Sequence, residues 1–106
     1  MKKLEEAIKK FKAAVAKARE NPLVHYLDDY ENWIAGNILR GNTEEARYHA
    51  RLLITYYIGD NPFTPDQEEI VDKFKDAVPE IYKIMDASRK MYYVGQATKE
   101  LLELMW

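Results

Sequence analysis

Thr64-Pro65-Asp66-Gln67-Glu68-Glu69-Ile70-Val71-Asp72-Lys73-Phe74-Lys75-Asp76-Ala77-Val78-Pro79-Glu80-Ile81 is the stretch that decides the fold. Thr64-Pro65-Asp66-Gln67 is a helix start. The threonine caps, the proline lacks an amide that had no partner anyway, the acid suits the positive end of the helix, and the glutamine reaches back. From there Ile70, Phe74, Ala77, Ile81, Ile84, Ser88, Met91, Gly95, Thr98, Leu102 and Met105 alternate steps of four and three, one apolar seam at helical spacing. Pro79 lies inside that seam. In a helix interior it would lose the bond to Lys75 and clash with its carbonyl, at a cost of ~3 kcal/mol. An unbroken helix from Pro65 to Met105 would also be about 60 Å long, whereas a domain of this length has a radius of gyration of about 13 Å. The reading is two helices, or one sharply kinked at Pro79.

Upstream, three more helices follow from the same logic. Leu4, Ile8, Phe11, Val15 and Ala18 place a helix over residues 3–20. Asn21-Pro22 reads as its stop and as the cap and first position of a second helix, with Leu23, Leu27, Tyr30, Ile34 and Ile38 as seam and Gly41 as its end. Asn42-Thr43-Glu44-Glu45 reads as a capping box opening a third helix over residues 43–58, with seam Ala46, Ala50, Leu53 and Tyr57. No strand alternation occurs. The expectation is an all-α, compact antiparallel bundle of four long helices plus one short one, a single domain over residues 1–106, with a break or kink at Pro79.

Composition narrows the function. The 106 residues contain no cysteine, which excludes disulfides, thiolate metal sites and a thiol nucleophile. No apolar run approaches the ~20 residues of a membrane span, and the N-terminus lacks the apolar core of a signal peptide. These features predict no membrane association and a cytoplasmic or recombinant setting. Charge is uneven: residues 1–20 hold seven Lys/Arg against three Glu, and residues 60–80 hold seven Asp/Glu against two Lys. The basic helix lacks the interleaved aromatics of a nucleic-acid groove, so no nucleic-acid partner is expected. Phosphate loops and nucleophile elbows are absent, and the chain has a single serine, Ser88.

Two histidines remain. His25 stands four residues before Asp29 and His49 four after Glu45, so each pair is a weak candidate for a carboxylate-oriented general base. If helices two and three reverse at residues 41–42, residues at one level sum to roughly 83. The histidines then differ in height by about 13 Å at 1.5 Å per residue, too far for one metal ion. No metal and no cofactor are expected.

The aromatics and glycines carry more. Tyr30 and Trp33 share a face of helix two, Tyr92 lies beside the seam of the last helix, and Gly36 and Gly95 sit inside helices where each costs ~1 kcal/mol relative to Ala. Small residues at such positions permit close approach or leave room. The expected site is an aromatic pocket between helices two, three and five. In it Tyr30, Trp33 and Tyr92 form the walls, Asn37, His49 and Gln96 supply orienting hydrogen bonds, and Gly36 and Gly95 give space for a small apolar or aromatic ligand. The alternative is a protein–protein module or homo-oligomer using the apolar tail Leu101-Leu102-Glu103-Leu104-Met105-Trp106.

Lys2-Lys3-Leu4-Glu5-Glu6-Ala7-Ile8-Lys9-Lys10-Phe11-Lys12-Ala13-Ala14-Val15-Ala16-Lys17-Ala18-Arg19-Glu20, with the caps at Asn21-Pro22 and Thr64-Pro65, resembles a computationally designed (synthetic) α-helical bundle. The resemblance is one of style and carries no functional residues over. His25, Trp33-Ile34-Ala35-Gly36-Asn37, Gly59-Asp60-Asn61-Pro62-Phe63 and Tyr92-Tyr93-Val94-Gly95-Gln96 depart from idealised filling, which marks them as places to look for function.

Overall fold

A computed structural model describes residues 2–105. α1 (Lys2–Ala18) buries the anticipated stripe, Ile8, Phe11, Val15 and Ala18, together with Ala7. Its exit differs from the sequence reading. Helix two does not start at Pro22. The chain turns over residues 19–26, and α2 (Leu27–Glu31) begins only after Tyr26, whose backbone is left-handed at φ 66°. The reason lies in Asn21. Its oxygen accepts from the Leu23 amide at 2.9 Å, as a cap would. Its amide nitrogen, however, donates to the Lys83 carbonyl at 2.9 Å and the Asp86 carboxylate at 3.1 Å. A buried tertiary partner for Asn21 has replaced a local helix start.

α2 runs on through a π-helical turn (Asn32–Gly36) into α3 (Asn37–Leu39). Gly41, at φ +82°, closes it, with the Asn42 amide reaching back to the Asn37 carbonyl at 2.8 Å. α4 (Thr43–Leu52) also continues as a π-helical segment (Leu53–Ile58). The Asn42 side chain makes no capping bond, contrary to the capping-box reading. A π turn holds more residues than an α turn, and the seam shifts accordingly. Ala46, Ala50 and Leu53 are buried as expected, but the next buried residue is Ile58, five positions on, and Tyr57 is only half-buried.

A 3-10 turn (Pro65–Gln67) leads into α5 (Glu68–Ala77), with the Thr64 amide donating to the Gln67 side chain at 3.1 Å. Val78, at φ −140° and ψ 81°, breaks the chain, and α6 (Pro79–Leu104) starts with Pro79 in its first turn. The break at Pro79 is therefore complete. The single seam of residues 70–105 is not one buried face. Thr98 and Met105 are buried, but Ile70, Ile81 and Ile84 are exposed, and α6 instead turns Ala87, Val94, Ala97 and Leu101 inward. Once α5 folds back on α6, the two halves of the seam no longer point to one core.

Among the described residues the chain is all-helical, in five helical stretches and without strands. Its radius of gyration is 14.4 Å and its extents are 47 × 22 × 21 Å. Phe11, Val15, Leu27, Ile34, Leu53, Val94 and Leu101 form the centre of the core. The described part of the apolar tail packs there as well: Leu101 and Met105 are buried, and Leu102 and Leu104 lie against the core. Trp106 lies outside the described residues.

Candidate functional site

Of the eight residues expected to line one pocket, six fall into two groups of three, and Gly36 and Asn37 join neither. Tyr30, Trp33 and His49 come together where helices two and three meet. The Trp33 ring stacks on His49 at 5.1 Å and 25°, and Tyr30 meets Trp33 edge-on at 5.4 Å and Tyr57 at 5.8 Å. The rings pack on one another at this junction, with Trp33 still exposed. Asn37 is held locally, donating to the Trp33 carbonyl and accepting from Arg40 at 3.1 Å, so its amide is not presented to a ligand. Gly36 faces away from this cluster, in a 450 Å³ groove with Lys12, Asp28, Asp29 and Asn32. A Cβ there would meet the Asn32 side-chain oxygen at 3.0 Å and Arg40 at 3.3 Å, both on flexible side chains.

The second group is Tyr92, Gly95 and Gln96. With Ile54, Ile58, Gly59, Asn61 and Lys99 they line a 170 Å³ cleft between the end of helix three and α6. Phe63 at 5.6 Å and Tyr93 at 5.4 Å clasp the Tyr92 ring edge-on, which fixes that wall. The Asn61 amide nitrogen donates to the Ser88 carbonyl at 2.8 Å and pins the loop across the cleft's end. A Cβ at Gly95 would lie 3.2 Å from Ile58 Cγ2 and 3.7 Å from its Cδ1, with no third atom within 4 Å. Gly95 thus serves both purposes of a small residue: close approach on one side, open space on the other.

Of the two histidine–carboxylate pairs, only His49–Glu45 shares a helix face, at ion-pair distance. His25 precedes α2, so it shares no helix face with Asp29. Both are exposed, and the His25 backbone is hydrogen-bonded with the Tyr57 hydroxyl. Burial pushes the Tyr57 hydroxyl up, while its bond to that backbone pulls the other way without cancelling the rise. His49 Nε2 is 3.9 Å from Glu45, beyond hydrogen-bond reach, and its Nδ1 is buried without a hydrogen-bond partner. The level arithmetic does hold: Tyr57 reaches His25 and Trp33 reaches His49. Among the described residues no three His, Asp or Glu side chains group to hold a metal, and no helix is long and apolar enough to cross a membrane.

Sequence reasoning missed the largest polar cluster. Asp86, 4% exposed, accepts from Arg89 at 2.7 Å and Asn21 at 3.1 Å, and pairs with Lys90 at 3.1 Å. Arg89 also reaches Glu68 at 3.0 Å and Asp72 at 2.8 Å, and Tyr93 donates to Glu68 at 2.5 Å. Burial pushes the Asp86 carboxyl up, but the hydrogen bonds from Arg89, Asn21 and Lys90 outweigh it and hold the group below its ordinary range. Arg89 is raised: burial lowers it, and its three carboxylate partners more than compensate. The bond to Glu68, with a smaller push from burial, raises the Tyr93 hydroxyl. The signal was present in the three- and four-residue spacing of Asp86, Arg89 and Lys90, but such pairs are common on exposed faces. The cluster clamps α5 and the exit of α1 onto α6. All its groups are paired, which suits a structural clamp better than a reacting centre.

No family model, curated protein or solved structure matches this chain.

Proposed function

We propose that the protein is a binding module, built as an antiparallel helical bundle in the manner of designed bundles, and that its ligand is a small, single-ring aromatic molecule. One observation carries this reading: the cleft at Gly95 joins a fixed aromatic wall, Tyr92, to apolar side chains, Ile54 and Ile58, with amides at Asn61 and Gln96 on its rim. That mixture of apolar lining and few polar groups is how small-molecule sites orient ligands. At 170 Å³ the space suits one ring and not a larger cofactor. Asn61 spends its amide nitrogen on Ser88, which leaves its oxygen as an acceptor and favours a ring bearing an N–H or O–H.

The test is a titration with phenol, aniline and toluene followed by amide chemical shifts. Saturable shifts at Gly59, Asn61, Gly95 and Gln96 are expected, with phenol and aniline binding more tightly than toluene. Gly95→Ala, which places a methyl group in the cleft, should weaken phenol binding while the protein stays folded by circular dichroism. Shifts that do not saturate, or that centre on Trp33, would remove the assignment.

A further inference from the structure

Ile70, Val78, Ile81 and Ile84 are 48, 37, 43 and 62% exposed, an unusual load of branched apolar surface for one end of a small domain. One of them, Ile84, lines a 230 Å³ groove between α5 and α6 together with Phe63, Val71, Met85 and Ser88. We propose that this face is the docking groove of a cationic amphipathic helix.

The argument begins with the seam. On α6, Ile81, Ile84 and Ser88 keep the spacing of a buried helix face, and on α5 so do Ile70 and Phe74. Farther along α6 that face is covered by the end of helix three, with Ile58 against Gly95. The helix ends at Ile58 and the chain turns off into the loop at Gly59, so the first half of the α6 face loses its cover. What fits there is what fits the second half: a helix with large apolar side chains on one face.

Charge selects the helix. Residues 60–80 hold seven acids against two lysines. Glu68 and Asp72 are turned to Arg89, while Asp60, Asp66, Glu69, Asp76 and Glu80 are exposed. A partner with Lys or Arg flanking its apolar face meets opposite charge, which favours its approach and its register. A second copy of this chain fits poorly. Its basic helix has buried Ile8, Phe11 and Val15 in its own core, and pairing two copies of the acidic face would oppose like charges.

A synthetic peptide of roughly four turns, with Leu at i, i+3, i+4 and i+7 and Lys elsewhere, tests the proposal in about 0.15 M salt, where weak surface attraction is screened. Calorimetry should show saturable one-to-one binding, and the peptide should gain helicity. Ile84→Asp should weaken binding by roughly tenfold or more, the loss expected for one buried aliphatic side chain. Leu39→Asp, at a 67% exposed position on helix two, serves as the control and should leave binding unchanged. Both sites are exposed, so both variants should fold. Equal binding by Ile84→Asp, or equal binding of a Leu/Glu peptide, overturns the proposal. So does concentration-dependent dimerisation of the protein alone that Ile84→Asp abolishes, because a second copy would then be the occupant. Phenol binding at Gly95 is read by different shifts, so either idea can fail alone.

Discussion

Tyr26 holds φ at 66°, a left-handed conformation that costs a non-glycine residue roughly 1–2 kcal/mol. Its ring offers little in return, since the residue is 74% exposed and meets the His25 ring edge-on at 6.1 Å. The strain exists because the chain must reverse between the buried anchor at Asn21 and the buried Leu27. Glycine adopts the same conformation without the clash, at some entropic cost in the unfolded chain. Tyr26→Gly should therefore stabilise the protein by about 0.5–1 kcal/mol in urea denaturation. A loss of stability would mean that the Tyr26 side chain packs more than its exposure suggests. A sequence pattern cannot show such a residue. Nothing in Leu23-Val24-His25-Tyr26 signals a left-handed turn, whereas Gly41, at φ +82°, is legible at sight.

At the scale of elements, periodicity and punctuation located the helices and misjudged which faces they bury. α1 was legible up to its exit, because its apolar stripe and its charged faces agree. Helix two was read five residues too early because Asn21-Pro22 is a sound local start signal that a tertiary bond to Asp86 overrides. The π-helical turns escaped notice because they keep helical composition and alter only the count per turn, moving burial from Tyr57 to Ile58. The candidate site suffered from the same cause. Trp33 and Tyr92 are both walls of the one expected pocket, yet belong to separate clusters in space. Pro79 was read correctly as an interruption, and its setting sets the sign of a substitution. It lies in the first turn of α6, where its fixed φ is already helical and the missing amide has no partner to lose. Pro79→Ala should cost about 0.5–1 kcal/mol, through greater freedom of the unfolded chain. Were Pro79 instead a kink in a continuous helix, the same change would stabilise by up to ~3 kcal/mol, so a thermal melt separates the two.

At the scale of the molecule, the 47 Å long axis divides between two kinds of cohesion. The half containing Phe11, Leu53, Val94 and Leu101 is held by apolar packing. The half containing α5 has one fully buried large side chain of its own, Val71, and relies on the charges converging on Asp86 and Arg89. That division makes stability depend on pH in a definite direction. The Asp86 carboxyl titrates below its unfolded value, so its contribution is complete above the ordinary carboxylate range, about pH 4, and is lost as pH falls through the lowered value. Asp86→Asn removes the charge while keeping shape and one hydrogen-bonding oxygen. At pH 7 it should cost about 2–3 kcal/mol, somewhat less than breaking an isolated buried pair, because Arg89 keeps Glu68 and Asp72. Below pH 4 wild type loses what the variant never had, so the two stability curves should converge there. The difference at pH 7 should also persist in high salt, because Asp86 and Arg89 are shielded from solvent. A constant offset between the curves from pH 7 to pH 2 would show that Asp86 contributes through packing and not through its charge.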